Sequence, residues 1–339
     1  MSEEALNDVR NGRGIIFLDY AQENFIDLQD YRRLHTSLKW AGIPPENIIL
    51  GFNSYNAKEL YESWFAPEER KLEVWNWPFV TSNTSYHYEL SIKHNTNGCI
   101  SENQFKESVF TLRKKHFLFK IRRRRYYRLA FLYKIVSDGL IEKFDWSCLE
   151  PHEFNENDIE WMSKHFQYFI DKEKVQQIYK QIPHLLESEK DKSYYELSAW
   201  NGNEADIYKN SYVYLCTESF TDKPYKSLTE KTFKPIANFM PFLVFGSHKT
   251  LELLKELGFK TFSPWIDESY DNESDEVVRF QKISAEISRL CSMSLEELHK
   301  WYWEMEDILI YNRNHLLNLY KEEKESLKLI NYMYERVGK

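Results

Sequence analysis

Two stretches of the chain carry side chains of the kinds that handle phosphorylated substrates. The first is residues 113–128, RKKHFLFKIRRRRYYR, with nine Lys or Arg and no acid. An apolar run, FLFKI, leads into Arg122, Arg123, Arg124 and Arg125, and a helical pattern holding Arg128 follows. In open α/β sheets ligands collect at the carboxyl ends of strands, and helix N-termini favour anions. The planar fork of arginine matches phosphate oxygens two at a time, so this cluster can hold a diphosphate. A solvated basic face, or a docking patch for an acidic partner, fits the same charges.

The second stretch is residues 217–246, TESFTDKPYKSLTEKTFKPIANFMPFLVFG. Glu218 follows the apolar run 211–216, and Thr229-Glu230-Lys231 then opens a helical pattern. Thr229 suits the N-cap and would leave the helix dipole free to face an anion. Lys231 can set a point charge on a phosphate, and Glu230 can accept hydrogen bonds from ribose or sugar hydroxyls. Taken alone, Glu230 and Lys231 read equally as surface charges in a helix's first turn.

These side chains need elements to position them. Apolar runs at 14–19, 47–52 and 72–75, separated by helical patterns over 27–40 and 57–65, predict βαβ units and a mainly parallel sheet. Gly42, Pro44 and Pro45 stop the first of those helices. Polar residues 81–104 read as a loop-rich segment near a domain boundary. A second alternating series has strands at 116–121, 211–216, 241–245 and 259–262. Its helices fall at 126–137, at 158–186 with a break at Pro183, at 229–238, and at 247–257, the last capped by Ser247 and ended by Gly258. From Ser274 onward the pattern is helical, with a capping box at Ser294 and Glu297. The spans implied are an α/β domain over 1–105, a second over 106–270, and a helical tail over 271–339.

The order of strand, acid, loop, T-E-K, helix and P-F-L-V-F-G strand resembles the donor-binding half of the α-1,3-fucosyltransferases, whose pattern is F-E-N-S…D-Y-I-T-E-K-L…P-V-V-x-G. The upstream HFLFKIRRRRYYRLAFLYKIVSDG is similar to that family's strand, arginine, helix and closing glycine. Similar T-E-K-T-x-K-P segments occur in glycosyltransferase-like proteins of phages and bacteria. The resemblance covers roughly 116–262, less than half the chain. It implies a GT-B fold: two Rossmann-like domains facing a cleft, the first on the acceptor side and the second holding a nucleotide-diphosphate sugar. It implies inverting transfer to a saccharide or other hydroxyl acceptor, with no bound metal and no cofactor beyond the donor. Arg128 matches the family's diphosphate-contacting arginine, Glu230 and Lys231 its nucleotide and phosphate contacts, and Glu218 the acid after the preceding strand. Thr217 and Ser219 stand where the family has Phe and Asn, and Lys226-Ser227-Leu228 replaces its D-Y-I, so the identity of base and sugar does not carry over.

Such a transfer needs a base for the acceptor proton. Asp19 and Glu23, just beyond the first apolar run, and His87, after the third, are the candidates. Asp19 fits a turn cap equally well. Trp64, Trp75, Trp77 and Tyr86 can stack on sugars or fill a core, with core favoured for most of them. Asp267, Glu268 and Asp271 form an acidic loop that reads as solvated. Trp301, Tyr302 and Trp303 are expected to pack the tail against a neighbouring domain.

Composition bounds these readings. The 339 residues are 42% hydrophobic, 29% charged and 16% aromatic, ordinary globular material with ample core. No apolar run is long enough to span a membrane, and no apolar stretch near the start suggests a secretory leader. Cys99, Cys148, Cys216 and Cys291 have no zinc-ligand spacing and read as free thiols of a cytoplasmic protein. Net charge is −8, so with nine positive charges gathered in 113–128 the remainder carries −17. That acidity disfavours general nucleic-acid binding and leaves nucleic acid only as an acceptor. The alternatives are therefore a DNA-base glycosyltransferase, or a non-catalytic nucleotide-binding or docking protein.

Overall fold

The structure, a computed structural model, describes residues 2–20, 27–77, 79–94, 98–150, 155–190, 205–222, 224–322 and 324–337. The chain is α/β and divides into two compact units, each with its own parallel sheet. The first unit takes residues 1–83, 223–228 and 319–339; the second takes 84–222 and 229–318. Among the described residues no helix is long and apolar enough to cross a membrane. All four cysteines are buried and free.

In the first unit β1 (Ile16–Tyr20), β2 (Ile48–Phe52) and β3 (Glu73–Asn76) pair in parallel, in that order. β2 is buried along its whole length, as a central parallel strand must be. Helices Leu28–Ala41 and Ala57–Trp64 make the crossovers. The first begins at a capping box, where Asp27 accepts from the amides of Gln29 and Asp30 and Asp30 accepts from that of Asp27. It ends at Gly42, whose φ of 66° is left-handed. Tyr31, Leu50, Phe52, Tyr61 and Val74 form the centre of the core, and Trp64 packs against it. Residues 224–228 join this unit through Lys226, whose carbonyl accepts from the Tyr55 amide at 2.8 Å, and through Tyr225 in the core. The helix Glu325–Val337 joins it through Ser326, bonded to the Trp77 indole at 2.8 Å, and Tyr332, packed against Trp75.

In the second unit β4 (Lys115–Ile121), β5 (Phe144–Cys148), β6 (Ser211–Thr217) and β7 (Phe242–Phe245) are all parallel, in the order β5-β4-β6-β7. The chain leaves β4 toward β5, then returns across β4 to add β6 and β7 on its other side. The order therefore reverses between β4 and β6, and the carboxyl ends of that pair are where such sheets bind ligands. Both strands are buried almost throughout, which explains their unbroken apolar runs. Arg113 clamps their amino ends. Its buried guanidinium donates to the carbonyls of Tyr208 and Ser211 and to the Tyr302 hydroxyl, and lies 4.3 Å from the Tyr302 ring centre.

Several local expectations are corrected. Residues 81–104 are not mainly loop, because helices Phe79–Lys93 and Glu102–Glu107 occupy most of the span. Their polar residues are used inside: Thr84 and Ser85 are buried, and the Ser85 hydroxyl donates to the Leu316 carbonyl. The helical pattern over 158–186 is two short helices, Glu156–His165 and Lys172–Tyr179, parted near Gln167, which has a positive φ. Residues 259–262 pair with no strand; instead the Asn312 side chain accepts from the Lys260 amide and donates to its carbonyl. Ser247 does not cap the next helix, which starts at Thr250. Asp271 caps it from a distance, accepting from the amides of Leu251 and Glu252. The helices after 274 and the Ser294–Glu297 capping box are as expected.

Gly51 gives a direct test of first-unit packing. A Cβ there would lie 2.8 Å from the rings of both Phe17 and Trp77, which meet edge-on at 5.5 Å. Gly51→Ala should destabilise the protein by about 1–3 kcal/mol, the usual cost of overpacking. An unchanged urea midpoint would mean that the two rings slide apart freely.

Candidate functional site

The carboxyl end of β6 is organised by one buried side chain. Glu218 follows the strand directly and is 2% exposed. One of its oxygens accepts from the Thr229 amide at 3.0 Å and the Thr232 hydroxyl at 2.6 Å. The other accepts from the Thr229 hydroxyl at 2.6 Å and the Ser219 amide at 3.3 Å. Every partner is a donor, so the carboxylate is satisfied as an ion. It sits at the start of helix Glu230–Ala237, where the dipole stabilises negative charge. Thr229 is the N-cap, as its sequence position suggested, and its hydroxyl accepts from the Lys231 amide at 3.4 Å. The expectation of a helix start left free for an external anion is corrected: the protein's own carboxylate already fills it.

Lys231 projects from the same turn. Its ammonium reaches the hydroxyl oxygens of Thr229 at 3.1 Å and Ser219 at 3.4 Å and the Glu230 carboxylate at 3.1 Å, with both charged side chains about a quarter exposed. Burial pushes the Glu230 carboxyl up; Lys231 and Lys234 more than offset this and hold it below its ordinary value.

The five arginines after β4 divide into separate jobs. Arg122 bonds the fully buried Glu189 at 2.8 Å, and Lys120 meets the same carboxylate at 3.3 Å. Burial raises the Glu189 carboxyl, and the two cations together with a backbone amide pull it below the ordinary range. Arg128 is 3% exposed. Its guanidinium donates to the carbonyls of Arg123, Thr217 and Glu218 at 2.9, 3.2 and 3.3 Å, stitching the turn after β4 to the end of β6. That corrects the expectation of a diphosphate contact, because a buried guanidinium must find acceptors and this one finds them in the backbone. Arg123, Arg124 and Arg125 remain exposed. Between these groups lies Tyr127, whose hydroxyl donates to the Glu218 carbonyl at 2.6 Å. Burial raises its pKa, and the charges of Arg128, Arg125 and Lys231 oppose that rise. Arg125 is the N-cap residue of the helix that follows β4, and Lys231 reaches Ser219 just past the end of β6, so the two stand after the two strands between which the order reverses. Compared with protein-family models, with curated proteins and with solved structures, the chain matches none of them.

The candidates for a base fall on other parts of the chain. Asp19 is exposed on β1 in the first unit. Glu23 lies outside the described residues. His87 is half-buried within helix Phe79–Lys93 rather than in the expected loop, its ring 5.9 Å from that of Tyr86. The acidic residues near 270 have structural work: Asp267 accepts from the Ser269 amide, Glu268 from Thr261 and the Phe262 amide, and Asp271 caps a helix. Among the described residues no cluster of three His, Cys, Asp or Glu could hold a metal ion. Glu189, Thr232 and Tyr127 escaped sequence reasoning. A lysine inside the apolar run FLFKI was the available signal for the first, since a buried lysine demands an acid.

Two outcomes follow. Glu218→Gln must turn its new NH2 toward either the Thr229 or the Ser219 amide, and should cost about 1–3 kcal/mol, the penalty for an unsatisfied buried donor; a chemical melt within error of wild type would show that the turn rearranges. Glu189 binds its proton more weakly when folded than when unfolded. Its contribution is therefore complete above the ordinary carboxylate pKa of 4.5 and is lost as pH falls below that. Glu189→Gln should be less stable at neutral pH and should show a shallower loss on acidification, read from urea midpoints across the range; an identical acid limb would remove Glu189 from the linkage.

Proposed function

We propose that the second unit binds a nucleotide-diphosphate sugar and that the protein is a glycosyltransferase of the GT-B kind, similar to the α-1,3-fucosyltransferases. What carries this reading is the position of Lys231. It stands in the T-E-K turn at the carboxyl end of β6, and the exposed Arg125 stands at the start of the helix after β4, the neighbouring strand. That is the switch point of a parallel sheet, where a compact anion is expected.

The chemistry follows from those charges. An acceptor hydroxyl attacks the anomeric carbon, the bond from that carbon to the diphosphate oxygen breaks, and the hydroxyl proton passes to a base. Negative charge grows on the departing diphosphate, where Lys231 and Arg125 meet it, so they bind the transition state better than the ground state. Glu230 accepts hydroxyls of ribose or sugar, and Glu218 and Arg128 hold the turn in shape. Asp19, Glu23 and His87 stand as the candidates for the base, a saccharide or other hydroxyl compound as the acceptor, and the cytoplasm as the setting. Inversion and independence from metal belong to the same proposal.

Lys231→Ala should lower kcat by on the order of 10²-fold, more than it raises KM, as loss of one preorganised electrostatic contact does. Arg125→Ala should weaken donor binding about tenfold, the scale of one charge-assisted hydrogen bond. The assay is transfer and hydrolysis with a panel of UDP-, GDP-, CMP- and dTDP-sugars, with and without EDTA. Wild-type rates in both variants would overturn the reading, and tight nucleotide binding with no transfer would favour a binding protein.

A further inference from the structure

Beside the arginine turn lies a cluster that the proposed chemistry does not use. Trp161 and His165 stand one turn apart on helix Glu156–His165, with ring centres 4.7 Å apart and planes 10° from parallel. Trp161 is 48% exposed, unusual for so large an apolar ring. Tyr126, the residue after Arg125, stands edge-on to Trp161 at 5.4 Å and to His165 at 6.1 Å. Phe166 meets the His165 ring edge-on at 4.7 Å.

The imidazole is fixed in its plane as well. Its Nε2 lies 3.0 Å from a Glu276 oxygen. The same carboxylate accepts from the Tyr126 hydroxyl at 3.1 Å and the Thr221 hydroxyl at 3.1 Å. With only donors around Glu276, the proton of the histidine sits on Nε2. Glu276 is the first residue of helix Glu276–Ser292, which Asp275 caps, so the helix dipole accounts for a negative charge there. It does not account for a tryptophan stacked on a histidine with about half of its surface exposed. Tyr126 and Thr221 come just after β4 and β6, so the cluster belongs to the ligand-binding edge of the sheet.

We infer that Trp161 is a stacking platform for the base of a nucleotide, with its phosphates toward the exposed arginines that precede Tyr126, and that His165 positions the platform. A planar ring with an anionic tail matches a half-exposed indole packed on Tyr126, the residue that follows the exposed Arg123, Arg124 and Arg125. The surplus acidity of the rest of the chain favours a mononucleotide over a polymer. The inference rests on the phosphate reading of the arginine turn but not on sugar transfer.

The test is calorimetry with GDP, UDP, ADP and inorganic pyrophosphate. Trp161→Ala should weaken at least one nucleotide diphosphate about tenfold or more, as loss of base stacking does, and leave pyrophosphate unchanged. Trp161→Tyr and His165→Phe, which keep the aromatic stack, should retain most of the affinity, whereas His165→Ala should lose part of it. Equal losses for nucleotide and pyrophosphate, or no loss for either, would overturn the platform. Binding of neither ligand by the wild type would sink it together with the phosphate site. Trp161-dependent nucleotide binding without any sugar transfer would sustain the platform and sink the transferase reading.

Discussion

Much of the second unit hangs on a carboxylate that never meets solvent. Removing the Glu218 charge from water is costly, and the structure offsets that cost with four donors, three of them from one helical turn, and the positive end of a helix dipole. The consequences spread outward. The chain that leaves β6 must return eleven residues later to the same oxygens, so Thr229 and the helix behind it are fixed against the strand end. The Glu218 carbonyl is bound in turn by Tyr127 and Arg128, which fixes the helix after β4 to the same point. A single residue thus coordinates two loops, and the exposed cations are held on a frame that their own mutual repulsion would otherwise open.

The basic segment has a second meaning in this light. Of its nine Lys and Arg, Arg113, Lys120 and Arg128 are buried, and Arg122 is tied to the buried Glu189. Arg113 and Arg128 hold opposite ends of the β4–β6 pair through backbone carbonyls. A guanidinium suits this work because its donors can satisfy several carbonyls that a parallel sheet leaves unpaired at its rim. Charge density along a sequence is therefore a poor measure of charge offered to a ligand. Of the nine, Lys114 and the part that crosses the turn, Arg123 to Arg125, are exposed.

The elements that sequence reading located best are those whose pattern is set by burial alone: the unbroken apolar strands, and the helices after 274 with their alternating faces. It succeeded at Thr229 because N-cap chemistry is local. It missed helix Phe79–Lys93 because polar residues such as Thr84 and Ser85 are buried there, and composition alone reads such residues as loop. It gave Ser247 a cap that Asp271 supplies, twenty residues beyond Leu251 in sequence and at hydrogen-bond distance in space. Arg128 and Glu218 were read as donor contacts, but Arg128 donates to backbone carbonyls that the β5-β4-β6-β7 order brings close, and Glu218 accepts from Ser219, Thr229 and Thr232. No residue spacing encodes that order, so their inward orientation was not legible.

That residues 319–337 belong to the first unit carries a consequence for biogenesis. The polypeptide passes between its two units at 83/84, 222/223, 228/229 and 318/319. Residues of the second unit are all synthesised before those of 319–337, which the first unit still awaits. A ribosome emitting the chain in order therefore releases a complete four-stranded sheet while the three-stranded one, begun earlier, lacks its last helix and the Ser326 and Tyr332 contacts to Trp77 and Trp75. The part of the protein translated first is the last able to finish folding, and its half-built core is what a chaperone would meet.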